Sequence, residues 1–198
     1  MKIGIFGGTF NPPHKGHRFL LEQINNRLRF DRIIVMPSGI PPHKEMCNNQ
    51  PQHRLAMTRL AFPDFEVSDM ELTRKGKSFT ADTLRVLTRE YPEDQLYLIC
   101  GSDMFLTMDK WKDPQGIFSM AVVVSAARQW GVYPKMLIKK WYYAIKYHAR
   151  CKVIHIKPFI LSSSDIRNGE KGLEQLDPAV RQYVQEHQLY YGEDDATV

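Results

Sequence analysis

Two histidines three residues apart, His14 and His17, stand just after a glycine pair in the run Gly7-Gly8-Thr9-Phe10-Asn11-Pro12-Pro13-His14-Lys15-Gly16-His17. Glycines permit backbone angles closed to other residues and let a ligand approach the main chain. A helix starting near Lys15 would point its unpaired N–H groups, and the positive end of its dipole, back into the same turn. Both imidazoles would then lie on one face of the first helical turn. The stretch therefore reads as a phosphate-handling turn. Zinc is the competing chemistry for two histidines, but it needs a further ligand of suitable spacing, which the sequence does not offer. The dinucleotide pattern GxGxxG is absent as well.

The same physics recurs in Ser162-Ser163-Ser164-Asp165-Ile166-Arg167. Hydroxyls and free amides gather at a helix start, and Arg167, four residues from Ser163, shares its face. This is a candidate second anion site facing the first. Lys44 and Arg128 gain interest from their placement after predicted strands, and Trp111 suits either a core or a stacking platform. The basic run 139–152, with Trp141, Tyr142, Tyr143 and Tyr147, reads as an amphipathic helix with a solvated basic side rather than a nucleic-acid face.

These residues need a scaffold. Residues 3–6 form a short apolar, β-branched run ended by glycines, which predicts a buried strand. Over 15–29, Leu21, Ile24 and Leu28 recur at helical spacing between polar residues, and 32–36 is again apolar and β-branched, stopped by Pro37. Such a strand–turn–helix–strand unit is parallel with a right-handed crossover. Residues 39–52 read as an exposed loop, 53–62 as a helix carrying Leu55, Met57 and Leu60, and 65–72 as containing a third strand. Thr80 is the expected N-cap of a helix running to Tyr91-Pro92. Strands follow at 95–100, 121–125 and 153–156, with one or two short helices in 104–120. A helix over 135–148 is expected with Leu137, Trp141, Ala144, Ile145 and His148 on one side, and Pro178 starts a final helix with Val180, Tyr183 and Val184. Alternating strands and helices predict an α/β, doubly wound parallel sheet in a single domain over 1–191, with 192–198 a disordered tail. In such a sheet the loops after strands one, two, four and six surround one cleft.

At 198 residues and 43% hydrophobic, the chain suits one globular domain. Its net charge of +5 and pI near 9.1 are compatible with nucleic acid, membrane surface or small anions and select none of them. Cys47, Cys100 and Cys151 are far apart and in no CxxC arrangement, which argues against a disulfide framework and a zinc site and for a reducing setting. No apolar run approaches the ~18 residues of a membrane span, and no charged-then-apolar leader precedes the first strand. A cytoplasmic protein is expected.

GGTFNPPHKGH resembles the signature of the nucleotidyltransferase superfamily whose (T/H)xGH motif binds ATP. Together with PSGIPPHK at 37–44, HRLAM at 53–57, KSFTADTL at 77–84, CGSDM at 100–104, KW at 110–111 and LSSSDIR at 161–167, it is similar to the bacterial nicotinate-nucleotide adenylyltransferase family, in order from residue 1 to about 191. The resemblance implies a Rossmann-like fold and adenylyl transfer from ATP to nicotinate mononucleotide in NAD biosynthesis, with Mg²⁺ on the triphosphate. It implies that Gly7, Gly8, Thr9, Phe10, Gly101, Asp103, Ser162, Ser163 and Ile166 line the ATP site, with His14, His17 and Arg167 as the catalytic donors. Ser38, His43, Lys44, Phe79, Thr80, Trp111 and Arg128 would surround nicotinate mononucleotide. Asn11 stands where many relatives have Asp, Ser164 where Thr is common, and Gln129 follows Arg128 where Pro is usual. The competing reading within the superfamily is another phosphorylated acceptor, nicotinamide mononucleotide or phosphopantetheine; the competing reading outside it is a nucleotide- or RNA-binding module. The partners implied are small molecules, without nucleic acid or membrane; a homo-oligomer is compatible with the chain, which does not fix the oligomeric state.

Overall fold

The alternation of apolar runs and amphipathic stretches resolves into one parallel sheet with helices on both faces. The computed structural model describes residues 1–39, 51–74, 76–127, 131–157, 161–168 and 172–190. In chain order its elements are β1 (Lys2–Gly8), α1 (Lys15–Leu28), β2 (Arg32–Pro37), α2 (Pro51–Ala61), β3 (Glu66–Val67), α3 (Met70–Thr73), α4 (Thr80–Glu90), β4 (Gln95–Gly101), α5 (Ser102–Thr107), α6 (Pro114–Met120), β5 (Ala121–Ala127), α7 (Val132–Tyr147), β6 (Cys151–His155), α8 (Ser163–Arg167) and α9 (Pro178–Glu186). The strand order is β3-β2-β1-β4-β5-β6, and every pairing is parallel. No helix among the described residues is long and apolar enough to cross a membrane.

Successive strand residues point to opposite faces, so each strand feeds two cores. Ile3 and Ile5 of β1, Leu96 and Leu98 of β4 and Val123 of β5 join Leu84, Leu87, Phe105, Phe118, Met136 and Tyr143 on one side. Phe6, Ile99, Val122 and Val124 join Leu20, Leu21, Ile24, Met57, Val180 and Val184 on the other. The sheet is rigid because both faces are sealed, and the loops at its carboxyl edge are held from below.

Four expectations change. The third strand shrinks to Glu66–Val67, because Asp69 already opens the helical turn α3. The N-cap of α4 is Phe79, and Thr80 is its first helical residue. The stripe that α2 buries is Arg54, Met57, Thr58 and Ala61, while Leu55 and Leu60 lie half-buried beside it. The inward face of α7 is Met136, Tyr143 and Tyr147, which leaves Ile138, Trp141 and Ile145 exposed at 71%, 71% and 75%. Tyr143 can be fully buried because its hydroxyl donates to Phe105 O at 2.7 Å and to Asp109 Oδ1 at 3.2 Å. Residues 192–198, expected as a tail, lie outside the described residues.

Candidate active site

From β1 the chain winds out through β2 and β3 and then returns to β4 on β1's other side. The winding reverses between β1 and β4, and parallel sheets bind ligands in the crevice at such a point. The turn after β1 covers one side of it; Gly101, Ser102 and Asp103, at the end of β4 and start of α5, stand on the other.

His14 is the N-cap of α1, with extended φ −142° and ψ 167°. Its backbone N–H donates to Nδ1 of His17 at 3.2 Å, and its carbonyl accepts from the His17 N–H at 2.9 Å. The two rings therefore meet through a cap and not, as expected, by sharing a helical turn; their centroids lie 3.8 Å apart at 32°. With Nδ1 of His17 accepting, the ring proton belongs on Nε2. His14 is 3% exposed, and His17 is half-buried.

The glycines differ. A Cβ on Gly7 would meet nothing within 4 Å, so this position opens onto free space. A Cβ on Gly8 would stand 2.8 Å from the Phe10 ring, so only glycine lets that ring close over the strand. Phe10 has a left-handed φ of 48°, a conformation disfavoured by about 1–2 kcal/mol in a residue with a Cβ. Its ring is held edge-on by Phe6 at 5.6 Å, Phe62 at 5.6 Å and His17 at 5.1 Å, contacts each worth roughly 0.5–1.5 kcal/mol beyond burial. At 1% exposed, the Phe10 side chain belongs to the core and backs His17.

The 161–167 motif does come to this turn, across the sheet from the edge strand β6. Ser163 Oγ donates to Pro12 O at 2.8 Å, and Arg167 Nη1 donates to Asn11 O at 2.6 Å while Nη2 reaches Ser164 Oγ at 3.1 Å. Ser162 caps α8 through a reciprocal pair with Asp165. Ile166, expected at the ligand, is 4% exposed and packs into the core. α8 is a five-residue helix, so side chains rather than a macrodipole are what this motif supplies.

On the acceptor side, Ser38 N–H donates to Gly8 O at 2.8 Å, which joins the two turns. Phe79 and Thr80 sit at the start of the eleven-residue α4, and Lys112, 3.0 Å from Asp82, lies 4.3 Å over the Phe79 ring. Trp111 is half-buried against the core, and Asp103 is exposed in the first turn of α5. His43, Lys44 and Arg128 lie outside the described residues. Among the described residues no group of three or more His, Cys, Asp or Glu could hold a metal ion.

Two residues of the site carry no sequence signal that periodicity could have found. Tyr190, beyond the last helix, donates from its hydroxyl to Asn11 Oδ1 at 2.5 Å. Arg54 of α2 is 0% exposed and donates to Thr9 O, Ser38 O and Gly39 O at 3.0, 2.6 and 3.2 Å.

Residues 5–169 match the cytidylyltransferase-like family. The chain is 35% identical over 196 residues to the "probable nicotinate-nucleotide adenylyltransferase" of Oceanobacillus iheyensis, with 96% of each chain covered. It is also 35% identical over 197 residues to the protein of the same name from Lachnoclostridium phytofermentans, covering 96% of this chain and 98% of that one. Its fold is that of the Plasmodium falciparum nicotinic acid mononucleotide adenylyltransferase complexed with NaAD, with a TM-score of 0.77 at 20% identity over 96% of this chain and 97% of that one.

Proposed function

The chain belongs to the nicotinate-nucleotide adenylyltransferases of the cytidylyltransferase-like family, and we propose that it joins ATP to nicotinate mononucleotide by direct in-line displacement. An oxygen of the acceptor's 5′-phosphate bonds to the α-phosphorus of ATP. The bond from that phosphorus to the bridging oxygen breaks, and its electron pair leaves with pyrophosphate. Nicotinate adenine dinucleotide, on the route to NAD, is the product. No side-chain nucleophile enters. The protein's tasks are to hold two mutually repelling anions in line and to supply donors where charge develops.

The observation that carries this reading is the reciprocal His14–His17 cap beside open Gly7. It sets Nε2–H of His17 as a donor at the N-terminus of a fourteen-residue helix, where free amides and the dipole also favour phosphate. Ser163 and Arg167 hold Pro12 O and Asn11 O from the other side, and the remaining N–H groups of the Arg167 guanidinium add donors there. Gly7, Gly8 and Thr9 would offer backbone to the nucleotide, with Gly101 and Asp103 beside the adenosine. Ser38, the amides at the start of α4 and Trp111 would receive the pyridine mononucleotide, and a helix N-terminus favours its carboxylate over a carboxamide. Mg²⁺, if bound with ATP, would neutralise charge on the leaving pyrophosphate.

The test is pyrophosphate release from ATP with nicotinate mononucleotide, nicotinamide mononucleotide or phosphopantetheine as acceptor. Nicotinate mononucleotide should be preferred by at least about tenfold in kcat/KM, the scale of one added charge-assisted contact. A preference for either alternative acceptor would overturn the assignment.

A further inference from the structure

Arg54 is a buried cation surrounded by carbonyls. Every guanidinium hydrogen bond among the described residues goes to a main-chain oxygen, and Nε has no partner. No carboxylate lies within ion-pair distance of it among the described residues. Burying an arginine without a counter-charge is unfavourable, and burial here holds its pKa below the usual guanidinium value, although a guanidinium remains protonated. A methionine or leucine would fill an ordinary core position on α2 without that penalty.

What the guanidinium touches gives the reason. Nη1 bridges Thr9 O in the turn after β1 and Ser38 O in the turn after β2; Nη2 takes Gly39 O. Gly39 is fixed on its remaining sides too. Its N–H is faced by the Glu71 carboxylate, which accepts from Thr83 Oγ1 at 2.7 Å. A Cβ on Gly39 would collide with Glu71 O and Ser78 Oγ. The peptide leaving the second turn is thus clamped between Arg54 and Glu71, and only Arg54 also reaches the first turn.

We propose that Arg54 is a positioning residue that clasps the ATP-side turn and the acceptor-side turn to one planar cation, setting the spacing between the two bound substrates. It never touches either substrate. Its positive charge also lies under both turns, where two polyanions must be brought together in a region of low dielectric. The inference rests on the reading that these two turns serve ATP and nicotinate mononucleotide.

The test compares steady-state constants of wild type, Arg54→Met, Arg54→Lys and Glu71→Gln, with circular dichroism and thermal unfolding on each. Arg54→Met removes the clasp and should raise both KM values by roughly tenfold or more. In Arg54→Lys a single ammonium keeps the charge but cannot reproduce the fork, so both KM values should fall between those of wild type and Arg54→Met. Glu71→Gln loosens the acceptor-side peptide alone and should raise only the KM for nicotinate mononucleotide. A merely structural arginine would lower the folded fraction, and with it apparent kcat, while both KM values stayed within about twofold; that result overturns the proposal. If Arg54→Met does not fold, Arg54→Lys decides: a shift in one KM or neither overturns the clasp, and a joint shift supports it. Wild-type protein that releases no pyrophosphate with nicotinate mononucleotide would count against the activity reading instead.

Discussion

The two nitrogens of His17 do different work, and substitution can separate them. Nδ1 accepts the His14 backbone N–H at 3.2 Å and so closes the start of α1; in the mechanism proposed above, Nε2–H is the donor offered to the phosphates. Asparagine places its side-chain oxygen near the position of Nδ1 but reaches no farther. Glutamine places an amide nitrogen near Nε2 but offers no acceptor at the Nδ1 position. His17→Asn should therefore keep the cap and lose the donor. Removing one preorganised donor to developing charge typically lowers kcat by about 100-fold or more, ~2.7 kcal/mol of barrier. Its melting temperature should stay near wild type. His17→Ala loses both functions: a similar fall in kcat, plus the ~1 kcal/mol of a lost N-cap, which in a chain of this size lowers Tm by about 2–4 °C. His17→Gln should show the Tm loss of alanine with part of its turnover restored. Pyrophosphate release at saturating ATP and nicotinate mononucleotide, with differential scanning calorimetry on the same preparations, reads both axes. If His17→Asn turns over within about tenfold of wild type, Nε2 is not the donor and the mechanism drawn above is wrong.

Two further outcomes follow from buried groups remote from this turn. Burial pushes the Asp109 carboxyl up, but the hydrogen bond and charge of Lys139, 3.0 Å away, together with the Tyr143 hydroxyl, outweigh it and hold its pKa below the ordinary 3.8. A depressed folded-state pKa contributes stability above the unfolded value and loses it as pH falls through the folded one, so urea midpoints should drop below about pH 4. Asp109→Asn should be less stable at pH 7 by roughly 1.5–3 kcal/mol and should show a smaller acid-side drop; an unchanged pH dependence would refute the pairing. Cys100 and Cys151 are 1% and 8% exposed, and burial raises both thiols, that of Cys151 to about 12. In a Cys47→Ser variant neither remaining thiol should react with a thiol-specific disulfide reagent at pH 8 until the chain is unfolded in guanidinium; native-state labelling of either would contradict their burial.

The scaffold was legible because its strands announce themselves locally. Residues 3–6, 32–36, 95–100, 121–125 and 153–156 all lie in the parallel sheet, apart from Ile156, one residue past β6. The helical faces were harder where polar and apolar stripes compete. On α7 the side expected from Leu137, Trp141, Ala144, Ile145 and His148 is not the one that packs inward, since Trp141 and Ile145 are exposed and Met136, Tyr143 and Tyr147 are buried. Tyr143 carries a large ring inward because Phe105 O and Asp109 meet its hydroxyl. On α2 the sequence reading named Leu55, Met57 and Leu60 and passed over Arg54, whose burial depends on three carbonyls from two other turns. The histidines were legible as a pair through their motif, but their geometry was not. Spacing alone suggests a helical i, i+3 face, whereas a cap depends on the extended backbone of His14.

Backbone accounting gives the turn after β1 its direction. Pro12 and Pro13 carry no N–H, so acceptors outnumber donors in this turn, and buried acceptors need partners. Four of them have one: Gly8 O takes the Ser38 N–H, Thr9 O takes Arg54, Asn11 O takes Arg167 and Pro12 O takes Ser163. Three of those four donors are side chains, drawn from α2 and from a motif more than 150 residues farther along the chain. Two arginines and a serine thus hold the carbonyls of this turn, while Gly7 before it opens onto free space and α1 begins after it. Arg167 and Ser163 therefore contribute before any substrate arrives. In the mechanism proposed above, such a hold preorganises the anion-binding face, so that the donors meeting developing charge need not reorganise when the reaction occurs. Tyr190, on Asn11 Oδ1, extends the same hold to the side chain. The remote sequence position of these residues follows from this role: a local segment can build the turn, but only elements from across the sheet can reach behind it.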